Sequence, residues 1–357
     1  MLTTKLFEGP RLFAELEKDW RVLANEDPSA TPFQTWEWQS TWWNYFGGSK
    51  EPRALAVYEG QDLVGLMAFV RTAGAWRTLR SLGIGPSDYL QPLSRPGHEN
   101  QAAEATRNYA AEASDIDLVD LHQLRETKPL VELTDPQTRI EQATCLVLDL
   151  PRTYDEYLKT LGKSLRYDVK RLDKSLFQEG KARIDLIKTG DLQSGYEIFL
   201  EQHKARWRKR LLPGAFLGKT VRFHRDWICH ADRNGWLRMS LLRVDGEVAG
   251  AIYAMSFQNV VYYYQAGFDP SKSSISPGTL LVAHTIRTAI DEGAQRFDFM
   301  RGDEPYKRRW KPQHVWKNHR LLMYGAGARG RWGASWNERA WRVERRVRAK
   351  LEGGKLL

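Results

Sequence analysis

Apolar and polar positions along the chain switch repeatedly between a period near 3.6 and a period near 2, which predicts helices alternating with short strands. Leu12, Leu16, Trp20 and Leu23 have helical spacing. A second amphipathic stretch runs from Thr31 to Phe46, with Pro32 fitting its first turn. RALAVY and LVGLMAFV stand on either side of Glu59-Gly60-Gln61-Asp62, a hairpin signal. Further elements are a strand from Trp76 to Leu82, a glycine-rich turn GIGPSDYLQP, a helix over 102–113, and strands over 116–121 and 143–150. Past Pro151, a helical region crosses Gly162 and continues as KSLRYDVKRLDKSLFQEG, with basic positions Lys163, Arg166, Lys170, Arg171 and Lys174 on one face.

The second half repeats the plan. After a strand over 182–187 and helices over 192–210 and 221–231, WLRMSLLRV and VAGAIYAMSF flank Asp245-Gly246-Glu247. This hairpin has the order of the one around Gly60, so the chain reads as two α/β halves from an internal duplication. Val260 to Phe268 is a strand rich in Val and Tyr. Leu280, Leu281, His284, Ile286 and Ile290 follow on one helical face, Gly293 stops that helix, and Arg296 to Met300 is the next strand. The charged run after it sits at a strand's carboxyl end, where open α/β sheets place ligands.

The chain of 357 residues is long enough for two cores, and 42% hydrophobic with 27% charged residues describes a globular protein. No run nears the ~18 apolar residues of a membrane span, and the start lacks the apolar core of a secretory signal. A cytoplasmic protein is expected, with a peripheral position at the inner face of the cytoplasmic membrane as a variant. With Cys145 and Cys229 alone, neither a disulfide framework nor a cysteine metal cluster forms, and the eight histidines show no ligand spacing, so no metal is expected. The formal charge of +10 is concentrated: from Arg301 onward 16 Lys and Arg face 5 Asp and Glu. The tail places Trp332, Trp336, Ala340, Val343, Val347 and Leu351 on one helical stripe among arginines, which suits contact with an anionic membrane surface or docking on the N-terminal half.

Helix pair, hairpin, third strand, helix and fourth strand is the order of the GNAT acyltransferase fold. The chain resembles the GNAT-like acyltransferases associated with cellulose and exopolysaccharide biosynthesis, which share a double-GNAT plan with Fem-type aminoacyl transferases. The resemblance rests on LGIGPSDY at 82–89, RYDVKR at 166–171, His203 with Arg206 and Trp207, AGFDP at 266–270, SPGTLL at 276–281, and FDFMRGDEPYKRRW at 297–310. It implies a fold of two tandem GNAT-like domains with mixed, mainly antiparallel sheets flanked by helices. The expected division is 1–150, 151–330 with the acyl-transfer site, and a basic amphipathic helix over 331–357.

Acyl transfer needs a base, oxyanion donors and often an acid for the leaving group. His203 is a candidate base, with Asp303 and Glu304 as alternatives; Tyr264 and Tyr306 are candidate acids. Gln265 and Trp207 are candidate substrate contacts, and Arg301 and Lys307 candidate anion contacts. At the helix start, Ser276, Gly278 and Thr279 can hold an anion, although KSSISPGTL departs from the usual Gly-rich pyrophosphate turn. No GxSxG elbow is present, so direct transfer is expected. The donor is then an acyl-CoA or acyl carrier protein thioester, and the acceptor an amine or hydroxyl of an envelope glycan or lipid precursor. The alternatives are ceramide-synthase-like N-acylation of a long-chain amine, Fem-like transfer from aminoacyl-tRNA, and a non-catalytic scaffold that binds polysaccharide or nucleic acid. Outside the tRNA and scaffold alternatives, nucleic acid is not an expected partner.

Overall fold

A computed structural model describes residues 1–135, 139–208, 215–324, 332, 333, 335, 336 and 339. The chain begins with strand β1 (Leu2–Glu8) and helices α1 (Leu12–Glu15) and α2 (Glu17–Glu26). A 3-10 turn at Pro32–Gln34, closed by a capping box between Thr31 and Gln34, precedes α3 (Trp36–Phe46). Next come β2 (Glu51–Glu59), β3 (Asp62–Thr72), β4 (Thr78–Ser81), β5 (Leu93–Ser94), α4 (Glu99–Glu112), β6 (Leu118–Arg125), α5 (Pro129–Glu132) and β7 (Arg139–Asp149). Then follow α6 (Tyr154–Thr160), α7 (Lys163–Leu172) with a π-helical extension at Asp173–Gln178, β8 (Ala182–Leu186), α8 (Leu192–Arg208) and α9 (Lys219–Arg233). The last elements are β9 (Leu237–Val244), β10 (Glu247–Phe257), β11 (Val260–Phe268), α10 (Pro277–Asp291), β12 (Arg296–Arg301), α11 (Pro305–Arg308) and β13 (His314–Tyr324).

The chain divides into two compact units. The first comprises Met1–Asp27, Gly47–Gln142 and the chain from Asn318; the second comprises Pro28–Phe46 and Ala143–Lys317. The main crossing, between 142 and 143, falls beside the division expected near Pro151, and two segments change sides in addition. The aromatic stretch around α3 belongs to the second unit: Trp38 is fully buried, with ring contacts to Phe223, His224, Trp227 and Tyr264. Phe33, Trp38 and Trp42 of this stretch are buried as core, which burial of rings this large favours by several kcal/mol.

Each unit has the same internal design. In the first, strands run in the order β1-β2-β3-β4-β6-β13; in the second, β7-β12-β11-β10-β9-β8. Within each unit the described strand pairs are antiparallel apart from one parallel pair each, β4 with β6 and β11 with β12, joined by α4 and α10 respectively. Both parallel ladders end on a buried aspartate, at Arg80↔Asp120 and Tyr262↔Asp298. This correspondence makes the duplication expected from the hairpins structural. Among the described residues no helix is long and apolar enough to cross a membrane. Of the expected tail stripe, Trp332 and Trp336 are described and exposed; the remainder of that stripe lies outside the described residues.

Candidate active site

The second unit opens where β11 and β12 part. Their parallel register covers Val260↔Arg296, Val261↔Phe297 and Tyr262↔Asp298 and goes no further, although β11 continues to Phe268. On the other side, β11 pairs with β10 with one residue too many: Tyr253 faces Gln265 and Ala254 faces Tyr263, so Tyr264 is a bulge. The Asp269 N–H donates to the Ala249 carbonyl across that ladder. Counting back in twos, Ala266 falls at a position whose N–H and C=O both point away from β10. The Ala266 carbonyl accordingly accepts from Nη1 of Arg206 on α8, at 3.0 Å. Its N–H is directed toward the same open side.

Helix α8 reaches this edge because Gly267 has no side chain. A Cβ there would lie 2.2 Å from the backbone nitrogen of His203 and 2.3 Å from the carbonyl carbon of Gln202. The close approach seats Arg206 over the Phe268 ring, 5.3 Å from its centroid.

The loop after β12 supplies the opposite wall. Asp298 accepts from the Met300 N–H at 2.7 Å and supports a positive φ of 61° there, which shifts the register before Arg301. Gly302, at φ 109°, lies so close to the Glu304 carboxylate that a Cβ would meet it at 2.5 Å. Lys307 is buried, and its ammonium donates to the carbonyls of Arg301 and Gly302 and pairs with Glu304 at 2.9 Å. With those three partners it straps the loop, so its sequence-derived role as an anion contact gives way to a positioning one. Asp303 is held by a two-pronged pair with Arg308, which lowers its pKa and leaves it a weak base. Glu304 keeps a half-exposed side chain.

Tyr306 on α11 packs against the core that contains Tyr263, Phe297 and Phe299. Burial pushes its hydroxyl pKa far up, aided by Tyr263, Glu304 and a hydrogen bond with the Tyr263 hydroxyl, and opposed by Arg206. It therefore stays protonated at neutral pH. Glu304, Tyr263 and Arg206 are thus all near enough to Tyr306 to act on its hydroxyl, and the gap where β11 and β12 part beside them is the notch.

The other sequence candidates gather in an aromatic pocket on the α8 and α9 side. Tyr264 shares a 3.2 Å hydrogen bond with Nε2 of His224, whose Nδ1 lies 3.3 Å from the Tyr253 hydroxyl. His203 is 2% exposed among Phe199, Trp207 and Phe216, and its Nε2 has no hydrogen-bond partner among the described residues. Burial and then Arg206 push its pKa down to about 4, so it is neutral but a weaker base than an ordinary imidazole. Gln265 is half-buried opposite Tyr253. His224 was missed by sequence reasoning; its signal was a histidine on the apolar face of a helix that also carries Phe223 and Trp227.

The start of α10 is a poor anion cradle. Pro277 has no N–H, and the amides of Thr279 and Leu280 donate to the Ser276 carbonyl. Ser276 itself is exposed in the left-handed region and its side chain does not cap the helix. Lys272 is paired with Glu247 at 2.6 Å. Gly278 and Thr279 thus stand beside a single uncommitted amide, that of Gly278, in place of a ring of donors.

Residues 163–308 match the family described as an acetyltransferase (GNAT) domain. The fold is GNAT-like. Among solved structures, FemX superposes on this GNAT-like chain with a TM-score of 0.65 at 11% identity, covering 86% of this chain and 96% of that one. The C-terminal domain (DUF2156) of a putative lysylphosphatidylglycerol synthetase from Agrobacterium fabrum gives 0.54 at 11% identity, covering 89% and 94%. A conserved protein of unknown function from Bacteroides thetaiotaomicron VPI-5482 gives 0.53 at 11% identity, covering 90% and 100%. Identities this low establish likeness of fold alone. A search of curated proteins found no match.

The two buried histidines of the GNAT-like second unit give a pH signature. Burial lowers His224 to about 3 and His203 to about 4, from 6.5. The unfolded chain therefore binds more protons below pH 6.5, and stability falls as pH drops from there toward those values. At roughly 1.4 kcal/mol per pH unit per group, several kcal/mol are lost. Urea unfolding from pH 7.5 to 4.5 is expected to show a falling midpoint, with a shallower slope in His224→Phe. Equal slopes in the two proteins would remove His224 from the account.

Proposed function

We propose that this protein is an acyltransferase that moves an acyl group directly from an activated donor to an amine or hydroxyl of an envelope glycan or lipid precursor. The observation that carries this reading is the parting of β11 from β12 beside Tyr306, Glu304 and Arg206. The acyl carbonyl enters the notch and its oxygen receives the Ala266 N–H. The acceptor attacks the carbonyl carbon, and its proton passes to the half-exposed Glu304 carboxylate. The leaving group departs with the bond electrons, accepts a hydrogen bond from the Tyr306 hydroxyl and takes its proton from solvent, to which Glu304 returns the acceptor's proton. No covalent enzyme intermediate is needed. Arg206, fixed on the Ala266 carbonyl, contributes positive charge where negative charge develops. His203 and Tyr264 support this edge from the neighbouring aromatic pocket.

The donor is a thioester of coenzyme A or acyl carrier protein, or an aminoacyl-tRNA as in Fem-like transfer. The meagre donor set at α10 supports a donor gripped elsewhere than at a pyrophosphate, and on that ground we rank carrier protein and tRNA ahead of coenzyme A. Thermal-shift measurements with acetyl-CoA, long-chain acyl-CoA, acyl carrier protein thioester and aminoacyl-tRNA test this. A donor at ~100 times its Kd adds about 2.7 kcal/mol to stability. A rise in melting temperature is expected with the carrier-bound donors. Stabilisation by acetyl-CoA alone would reverse the donor preference, and none by any donor would overturn acyl transfer.

A further inference from the structure

Away from the notch, α6, α7 with its π-helical extension, and α10 enclose a cavity of about 490 Å³, within the ~300–1,000 Å³ range of small-molecule sites. None of the notch residues lines it. Its wall is apolar where Leu158, Val169, Phe177 and Leu280 meet. These side chains belong to, or pack against, the main core of the second unit. The mouth is basic: Lys170, Lys174 and Arg287 line it and are exposed. None of the three has a carboxylate partner within ion-pair distance among the described residues, although Asp155 and Asp173 also line the cavity. Asp173 instead accepts from Nε2 of Gln178 at 3.1 Å, and Arg287 lies 5.6 Å over the Tyr154 ring.

Exposed lysines next to carboxylates ordinarily pair with them or are neutral in effect. Here three cations with no carboxylate partner among the described residues line one opening against two carboxylates, Asp155 and Asp173, and Lys163, Arg166 and Arg171 add to the positive charge along α7. The π-helical turn is also a device found at functional sites, because the extra residue per turn widens the helix where it occurs. An apolar cavity under a cationic rim matches a molecule with an apolar chain and an anionic head. Burial of the chain supplies affinity, and the rim selects the charge.

We propose that the cavity between α7 and α10 binds a single-chain anionic amphiphile, its chain against Leu158, Val169, Phe177 and Leu280 and its head on Lys170, Lys174 and Arg287. The site is independent of the acyl-transfer reading and is tested without activity. Octyl phosphate, octyl glucoside and inorganic phosphate are titrated calorimetrically into the full chain, each below any micelle concentration. Octyl phosphate is expected to bind once per chain and at least ten-fold more tightly than either control. The double variant Lys170→Glu, Lys174→Glu, altered only at exposed positions, is expected to lose at least ten-fold in that affinity with an unchanged melting temperature. Equal binding of octyl phosphate and octyl glucoside, undiminished binding by the double variant, or no binding of octyl phosphate would each overturn the proposal.

Discussion

Tyr306→Phe is expected to lower kcat by about 10²–10³, the range for removal of one hydrogen-bond donor to developing negative charge, while the melting temperature stays near that of the parent. The substitution removes one hydroxyl and leaves the ring in the core with Tyr263, Phe297 and Phe299. Because burial and the Tyr263 hydrogen bond hold the proton on Tyr306 well above neutrality, the loss should be uniform across pH 6 to 9 and show no titration. Single-turnover acyl transfer with the donor found by thermal shift is the measurement. Full turnover in the Phe variant, with Glu304→Gln equally active, would remove the notch as the reaction centre.

Gly267→Ala is expected to be the most damaging single methyl group in the second unit. The added Cβ would stand 2.2, 2.3 and 2.6 Å from backbone atoms of Gln202 and His203. Ordinary overpacking costs ~1–3 kcal/mol because side chains can rotate away. Here the obstruction is helix backbone, so α8 must lift from β11 and Arg206 must release the Ala266 carbonyl. A loss of about 4 kcal/mol or more is expected, a fall of roughly 10 °C or more at ~2–4 °C per kcal/mol. Urea and thermal unfolding of the purified variant measure it, and a melting temperature within a few degrees of the parent would show that α8 is not pinned at Gly267.

Much of the fold was legible because it depends on local patterns. The hairpins around Gly60 and Gly246 announced themselves through turn residues between β-rich runs, and their repetition announced the duplication. The division between units was only partly legible: the residues 28–46 look like any amphipathic aromatic helix, and which core receives Trp38 depends on shape complementarity with α9. Site residues divided similarly. The RGDEPYK segment marked the loop we propose, but a sequence cannot tell a lysine that binds substrate from one whose three donors are spent on Arg301, Gly302 and Glu304.

The two units also share a feature whose consequence differs. Asp120 and Asp298 close equivalent parallel ladders, yet Asp120 is surrounded by Arg320, Arg80 and His122, whereas Asp298 accepts a backbone N–H and supports a kinked strand end. A buried ion network fills the first position, and a strap-held loop lines the second. We propose the second unit as the place of the chemistry, and the network that fills the first depends on Arg320, distant in sequence from Asp120.

By itself, the sequence determined most of the helices and strands, though neither β1 nor β13, together with the repeated hairpin and the absence of a long apolar span, and it proposed the loop from Phe297 to Trp310 as the centre of interest, because side-chain periodicity and turn preference act over a few residues. The tertiary structure alone decided that β11 and β12 part after three pairs, that Gly267 admits a helix backbone, that Arg206 and Tyr306 meet at one notch, and that His203 is buried and a weak base. Those outcomes follow from register, close approach and desolvation, which are properties of segments brought together and are set by no single stretch of chain.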